Sequence, residues 1–126
     1  MPVKYNIIQR GNPRDLSAPK KYYAVTQSVD EVTLEDLSKQ IADISTVSSI
    51  DTLAVLESLL HVMPDHLLNG SLVRLGKSGT FRLTLDSEGT DTEAEFNSSK
   101  IKKVNLRFRP GKQISDALKT ADYQKI

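Results

Sequence analysis

Val73-Arg74-Leu75-Gly76-Lys77-Ser78-Gly79-Thr80-Phe81-Arg82 is the stretch on which the fold turns. Leu72 to Leu75 reads as a short strand. Gly76-Lys77-Ser78-Gly79 reads as a tight turn, since glycine enters left-handed backbone regions without a Cβ clash. Thr80 to Leu85 then alternates: Phe81, Leu83 and Leu85 point one way, Arg82 and Thr84 the other. That period of two marks a half-buried strand. The alternation returns at Lys103 to Arg109, with Val104, Leu106 and Phe108 on one face and Lys103, Asn105, Arg107 and Arg109 on the other. Ile101 has the wrong parity for the apolar face, so a bulge is expected near Lys102. Pro110-Gly111 closes the strand. These segments predict a small antiparallel sheet with one apolar and one basic face.

Working outward, Ile114 to Tyr123 reads as a short final helix, and two helices are expected upstream. Thr33 is a suitable N-cap, with Glu35 and Asp36 in the first turn, where the helix dipole favours acids. Leu34, Leu37, Ile41 and Ile44 follow on one face. Ser48 is a second N-cap, leading into Ile50, Leu53, Leu56, Leu59, Leu60 and Met63. Pro64 lacks an N–H and is expected to kink or interrupt this helix. Leu67 and Leu68 extend its apolar face, and Asn69-Gly70 supplies a stop. Farther upstream, Val3 to Gln9 and Lys20 to Val29 read as strands, joined through Arg10-Gly11-Asn12-Pro13-Arg14 and Pro19 as a β-hairpin. One or both of Tyr22 and Tyr23 are expected to pack this hairpin against the body, the alternative being stacking on bases. The order is ββ–αα–βββ–α, an α+β class. The second helix is apolar over more than one stripe (Leu53, Val55, Leu56, Leu59, Leu60, Val62), which calls for a partner on each side and so for a dimer.

The 126 residues suffice for one domain. The absence of Cys excludes disulfides, thiolate metal sites and Cys nucleophiles. Net charge is +1, but the charges lie in blocks. Residues 4–21 carry five bases and one acid, residues 30–65 eight acids and one base, residues 86–95 five acids and no base, and residues 100–112 six bases and no acid. A near-neutral chain can therefore present a basic face. No apolar run approaches the roughly 20 residues that cross a bilayer, and the first residues lack the apolar core of a signal peptide. A cytoplasmic protein with no membrane partner is expected.

Catalytic constellations fail one by one. His61 and His66 lie five apart with Pro64 between them, unlike a helical metal pair. Gly76, Gly79 and Gly111 do not compose a phosphate-binding loop. The acids of residues 86–95 lack the spacing of a calcium-binding hand. No enzyme, cofactor, metal or small-molecule substrate is expected. Phe81 and Phe108 read as core.

From Thr33 onward, three stretches carry a resemblance. They are Val55-Leu56-Glu57-Ser58-Leu59-Leu60, the strand–turn–strand through Gly79-Thr80-Phe81-Arg82, and Phe108-Arg109-Pro110-Gly111-Lys112 followed by Asp116-Ala117-Leu118-Lys119. Together, over roughly residues 33–122, they resemble the bacterial HU and integration-host-factor family of histone-like, nucleoid-associated DNA-binding proteins. The resemblance implies residues 33–126 as an HU-like domain and residues 1–32 as an added hairpin. It further implies an intertwined homodimer with a helical base, and two β-arms that enter the minor groove of double-stranded DNA and bend it through an Arg-Asn-Pro wedge at each tip. The chain departs from that pattern at the arm. Residues 86–96 contain no Arg and no Pro, and five carboxylates there would be repelled by phosphates. The only Asn-Pro-Arg, Asn12-Pro13-Arg14, lies in the added segment.

The candidate DNA-binding residues are Arg74, Lys77, Arg82, Lys100, Lys102, Lys103, Arg107, Arg109 and Lys112. Their functional reading is a phosphate-contacting surface with low sequence specificity. Their bland reading is a solvated sheet face partly neutralised by the acidic segment. Two functions follow: a histone-like protein that contacts the duplex backbone, or an HU-fold interaction or structural module that has lost arm insertion.

Overall fold

Ser48 starts the longer helix: the backbone N–H of Asp51 donates to its hydroxyl at 3.1 Å, and that of Thr52 to its carbonyl at 2.9 Å. Such a cap satisfies donors that the first helical turn leaves open. In a computed structural model, which describes residues 2–126, this helix α2 covers Ser49–Leu68 and follows α1, Leu34–Asp43. The expected break at Pro64 does not occur, and α2 runs unbroken through it. Proline removes one backbone donor and crowds one carbonyl. Met63 and Leu67, one turn apart on either side of it, are the buried apolar side chains among the described residues. Asn69 caps the end with its N–H on the Asp65 and Leu67 carbonyls, and Gly70 leaves the helix at φ +87°, a conformation suited to glycine.

Three strands follow: β3 (Val73–Arg74), β4 (Gly79–Ser87) and β5 (Ile101–Pro110), antiparallel in the order β3-β4-β5. Phe81 lies opposite Phe108, Leu83 opposite Leu106 and Leu85 opposite Val104, so the alternation read from the sequence gives one apolar face. The ladder shifts between Asp86 and Ser87, which pair with Lys103 and Ile101. Lys102 is the extra residue, and the parity break is a bulge. The ladder ends there, and residues 88–100 form a connection with two 3-10 turns, Glu93–Glu95 and Ser98–Lys100.

The 76–79 turn is locked onto the far end of β5. Gly111 donates to the Ser78 carbonyl at 2.9 Å, and a Cβ on Gly111 would fall 2.2 Å from the Lys77 carbonyl oxygen. A Cβ on Gly79 would strike the Phe108 ring at 2.5 Å. These close approaches explain why both positions are glycine.

The final helix is shorter than expected. α3 covers Lys112–Leu118, and Tyr123 lies instead in a strand, β6 (Tyr123–Lys125). β6 pairs parallel with β1 (Val3–Arg10), which pairs antiparallel with β2 (Lys21–Thr26), giving a second sheet in the order β2-β1-β6. The Val3 N–H reaches the Asp122 carbonyl at 2.7 Å and the Ile126 N–H reaches that of Tyr5 at 3.0 Å. A ten-residue helical pattern could not reveal this, because β6 forms by long-range pairing and not by local propensity. The chain divides into two compact units, residues 34–116 and residues 2–33 with 117–126.

Candidate nucleic-acid interface

The polar face of β3-β4-β5 is built row by row. Arg74 lies opposite Thr80, which lies opposite Arg109. In the next row but one, Arg82 lies directly opposite Arg107. Thr84 and Asn105 follow, then Asp86 and Lys103. All four arginines are exposed. Directly opposed like charges disfavour a sheet, and among the described residues no carboxylate pairs with these guanidinium groups. Asn105 is half-buried in the row beside Arg107, and its Nδ2 is enclosed without a hydrogen-bond partner among the described residues.

Lys77 and Lys112 join this face at one end. The Gln113 N–H donates to the Lys77 carbonyl at 3.2 Å, which brings the turn and the start of α3 to one corner. At the other end the bases are neutralised. Lys103 Nζ lies 3.6 Å from Asp86 and Lys102 Nζ 3.9 Å from Glu88, both pairs exposed. Lys100 is half-buried in the second 3-10 turn, where its carbonyl accepts the Glu88 N–H at 2.8 Å. Of the nine candidate residues the ladder puts Arg74, Arg82, Arg107 and Arg109 on one sheet face, with Lys77 and Lys112 at the corner beside its Gly79–Pro110 end. Lys102 and Lys103 are paired with acids at the other end, and Lys100 lies in the 3-10 turn beyond it.

On the opposite face Phe81 and Phe108 meet with ring centroids 4.8 Å apart, tilted by 47°. The face they anchor is nevertheless open to solvent: Leu85 is 60% and Leu106 55% exposed. Val55 of α2 is 66% exposed. Among the described residues no helix is long and apolar enough to cross a membrane, and no cluster of three or more His, Asp or Glu could hold a metal ion.

Residues 1–125 match the family model described as "HU domain fused to wHTH, Ig, or Glycine-rich motif". The chain belongs to this HU-HIG family. No curated protein matches the HU-HIG chain. Among solved structures it resembles that of a candidate bacterial DNA-binding protein from Bacteroides vulgatus ATCC 8482, with a TM-score of 0.66 and 12% sequence identity. The match covers 98% of the HU-HIG chain and 48% of the Bacteroides chain, so this chain spans about half the length of that relative. At such low identity the likeness is one of fold, and it extends over both sheets.

Proposed function

We propose that this HU-HIG protein binds double-stranded DNA through the arginine face of β3-β4-β5, contacting the sugar–phosphate backbone with low sequence specificity. The observation that carries the reading is the Arg82–Arg107 pair, flanked by Arg74 and Arg109 and left without carboxylates. An unpaired cationic row of this kind is relieved by phosphate, and the released counterions make binding strongly salt-dependent. Family membership and the DNA-binding assignment of the Bacteroides structure support it. The working form is a homodimer in the bacterial nucleoid. Support for the dimer comes from the exposed apolar sheet face and from α2, whose Ile50, Val55 and Leu60 remain open in the single chain; a second copy would remove that apolar area from water.

The acidic connection supports a second reading, an interaction or structural module in which the arm has lost its DNA role. Glu88 and Asp86 occupy the very lysines an arm would present to the groove. An anisotropy titration with duplex DNA across salt separates the two. Binding through six bases per chain gives a log–log salt slope of about 5 per chain, from about 0.9 per phosphate neutralised. Loss of that binding in Arg82→Ala/Arg107→Ala supports the first reading. No binding at low salt overturns it. End-to-end energy transfer on the same duplex reads bending.

A further inference from the structure

The N-terminal sheet carries a second unpaired basic site, built on residues that the duplex-binding face does not use. At the open end of the β1–β2 ladder, Arg10 lies directly opposite Lys21. Directly opposed strand residues have Cβ atoms about 5 Å apart, and like charges there are unfavourable. Two residues along β2 on the same face stands Tyr23, opposite Ile8. The loop between the strands flanks these exposed side chains and forms with them an open pocket of about 510 Å³, whose lining includes Arg10, Gly11, Pro13, Pro19, Lys21 and Tyr23. Its size falls in the ~300–1,000 Å³ range of small-ligand pockets. Tyr23 is 48% exposed, and Tyr22, on the other face, is 71% exposed.

The loop holds its shape through its own polar groups. The Arg14 N–H donates to the Asn12 side-chain oxygen at 2.9 Å, and the Asp15 N–H to the Asn12 carbonyl at 3.2 Å. Asp15 is the only acid in residues 2–29. Its carboxylate is already occupied, accepting the Ser17 hydroxyl at 2.6 Å and the Ser17 N–H at 3.0 Å. The hydroxyl bond first, and the N–H bond second, hold its pKa below the usual carboxylate value. The acid of this loop is therefore engaged by the loop itself, and among the described residues no carboxylate pairs with Arg10 or Lys21.

We propose that this pocket binds single-stranded nucleic acid, with Arg10 and Lys21 on a backbone phosphate and Tyr23 stacked on the adjoining base. Cation plus aromatic face is the recurring recipe for unpaired strands. A free anion would have no use for the ring, and the bases of a duplex are already stacked on one another. The site stands independently of the duplex-binding face.

The test uses the full chain, a labelled single strand of about 12 nucleotides, within the usual site size, and its duplex. Arg10→Gln/Lys21→Gln is expected to weaken single-strand binding about tenfold or more, and Tyr23→Leu about tenfold, the loss typical of one stacked base. Circular dichroism should match wild type and the melting point should not fall, since both cations are exposed and removing a like-charge pair relieves the sheet. Arg82→Ala/Arg107→Ala should leave single-strand affinity within about twofold while abolishing duplex binding. The proposal is overturned if Arg10→Gln/Lys21→Gln or Tyr23→Leu binds the single strand as wild type does. It is equally overturned if unlabelled duplex, or inorganic phosphate alone, displaces the probe as well as unlabelled single strand. Failure of the duplex-binding reading shows separately, as wild-type protein that ignores the duplex at low salt.

Discussion

Arg82 and Arg107 face each other across the β4–β5 ladder, and among the described residues no carboxylate pairs with either. A cross-strand pair contributes about 0.2–1 kcal/mol, and like charges make that contribution unfavourable. Arg107→Thr, which keeps a strand-forming residue, should therefore raise stability by a few tenths of a kcal/mol up to about 1 kcal/mol. It should also weaken duplex binding. Urea denaturation and anisotropy on the same sample check the two signs together. A residue kept only for packing would lose both stability and binding.

Sulfate or phosphate should act on the same pair. An anion that binds the folded face and not the unfolded chain stabilises by mass action. Wild-type protein should gain melting temperature with added phosphate at constant ionic strength, and the Arg82→Thr/Arg107→Thr variant should gain less. Differential scanning fluorimetry over a phosphate series reads this directly.

The lock between turn and strand predicts unequal costs for two glycines. At Gly111 a methyl group would meet the Lys77 carbonyl, a backbone atom that cannot move aside. Gly111→Ala should cost about 1–3 kcal/mol, the range for overpacking. At Gly89 nothing lies within 4 Å of the added Cβ. Gly89→Ala should be neutral or slightly stabilising, up to about 1 kcal/mol, through the unfolded chain. Thermal unfolding of the two variants should separate them by several degrees.

How much of this was readable in the sequence depends on the range of the interaction involved. Phe81, Leu83 and Leu85 against Val104, Leu106 and Phe108 could be paired by parity alone, and the misplaced Ile101 announced the bulge at Lys102. The common face of Arg74, Arg82, Arg107 and Arg109 was legible from the same alternation, but the direct opposition of Arg82 and Arg107 was not, because the long connection of residues 88–100 leaves the register open. Tyr123 was assigned to a helix because its strand exists only by pairing with Val3, far away in the chain. Pro64 was overvalued, because local propensity gives no account of the burial of Met63 and Leu67 around it. Partial neutralisation of the basic face by the acidic segment was an open alternative, but its pairs, Lys102 with Glu88 and Lys103 with Asp86, were not legible. The acidic and basic runs were both visible, but their register was not. The Arg10–Lys21 opposition could have been found from the two cations flanking a turn-rich loop.

Those neutralised lysines make a quantitative prediction. Asp86→Asn/Glu88→Gln should free Lys103 and Lys102 for phosphate contact. The salt slope for duplex binding should steepen by up to about 2 per chain, at about 0.9 per phosphate gained. Affinity at low salt should rise accordingly. Stability should change little, because exposed ion pairs contribute about 0–1 kcal/mol. If the slope stays constant, this end of the sheet does not reach DNA and the interface is confined to the six bases at the other end.

Asp15 sets a pH dependence for the N-terminal loop. Its carboxylate accepts two hydrogen bonds from Ser17, which lower its pKa in the folded chain relative to the usual 3.8. A depressed carboxyl pKa means that the ionised form is favoured by folding. The contribution is complete above the unfolded value and is lost as pH falls through the folded one. The loop should therefore keep its form at neutral pH and loosen only in acid below about pH 4. Ser17→Ala removes the hydroxyl bond, the larger cause, and should raise the Asp15 pKa toward 3.8, so that loosening begins at higher pH. Two-dimensional NMR of the Ser17 and Ala18 amides against pH follows both variants. An unchanged titration midpoint in Ser17→Ala would show that the backbone N–H groups of Ser17 and Ala18 hold the carboxylate without the hydroxyl.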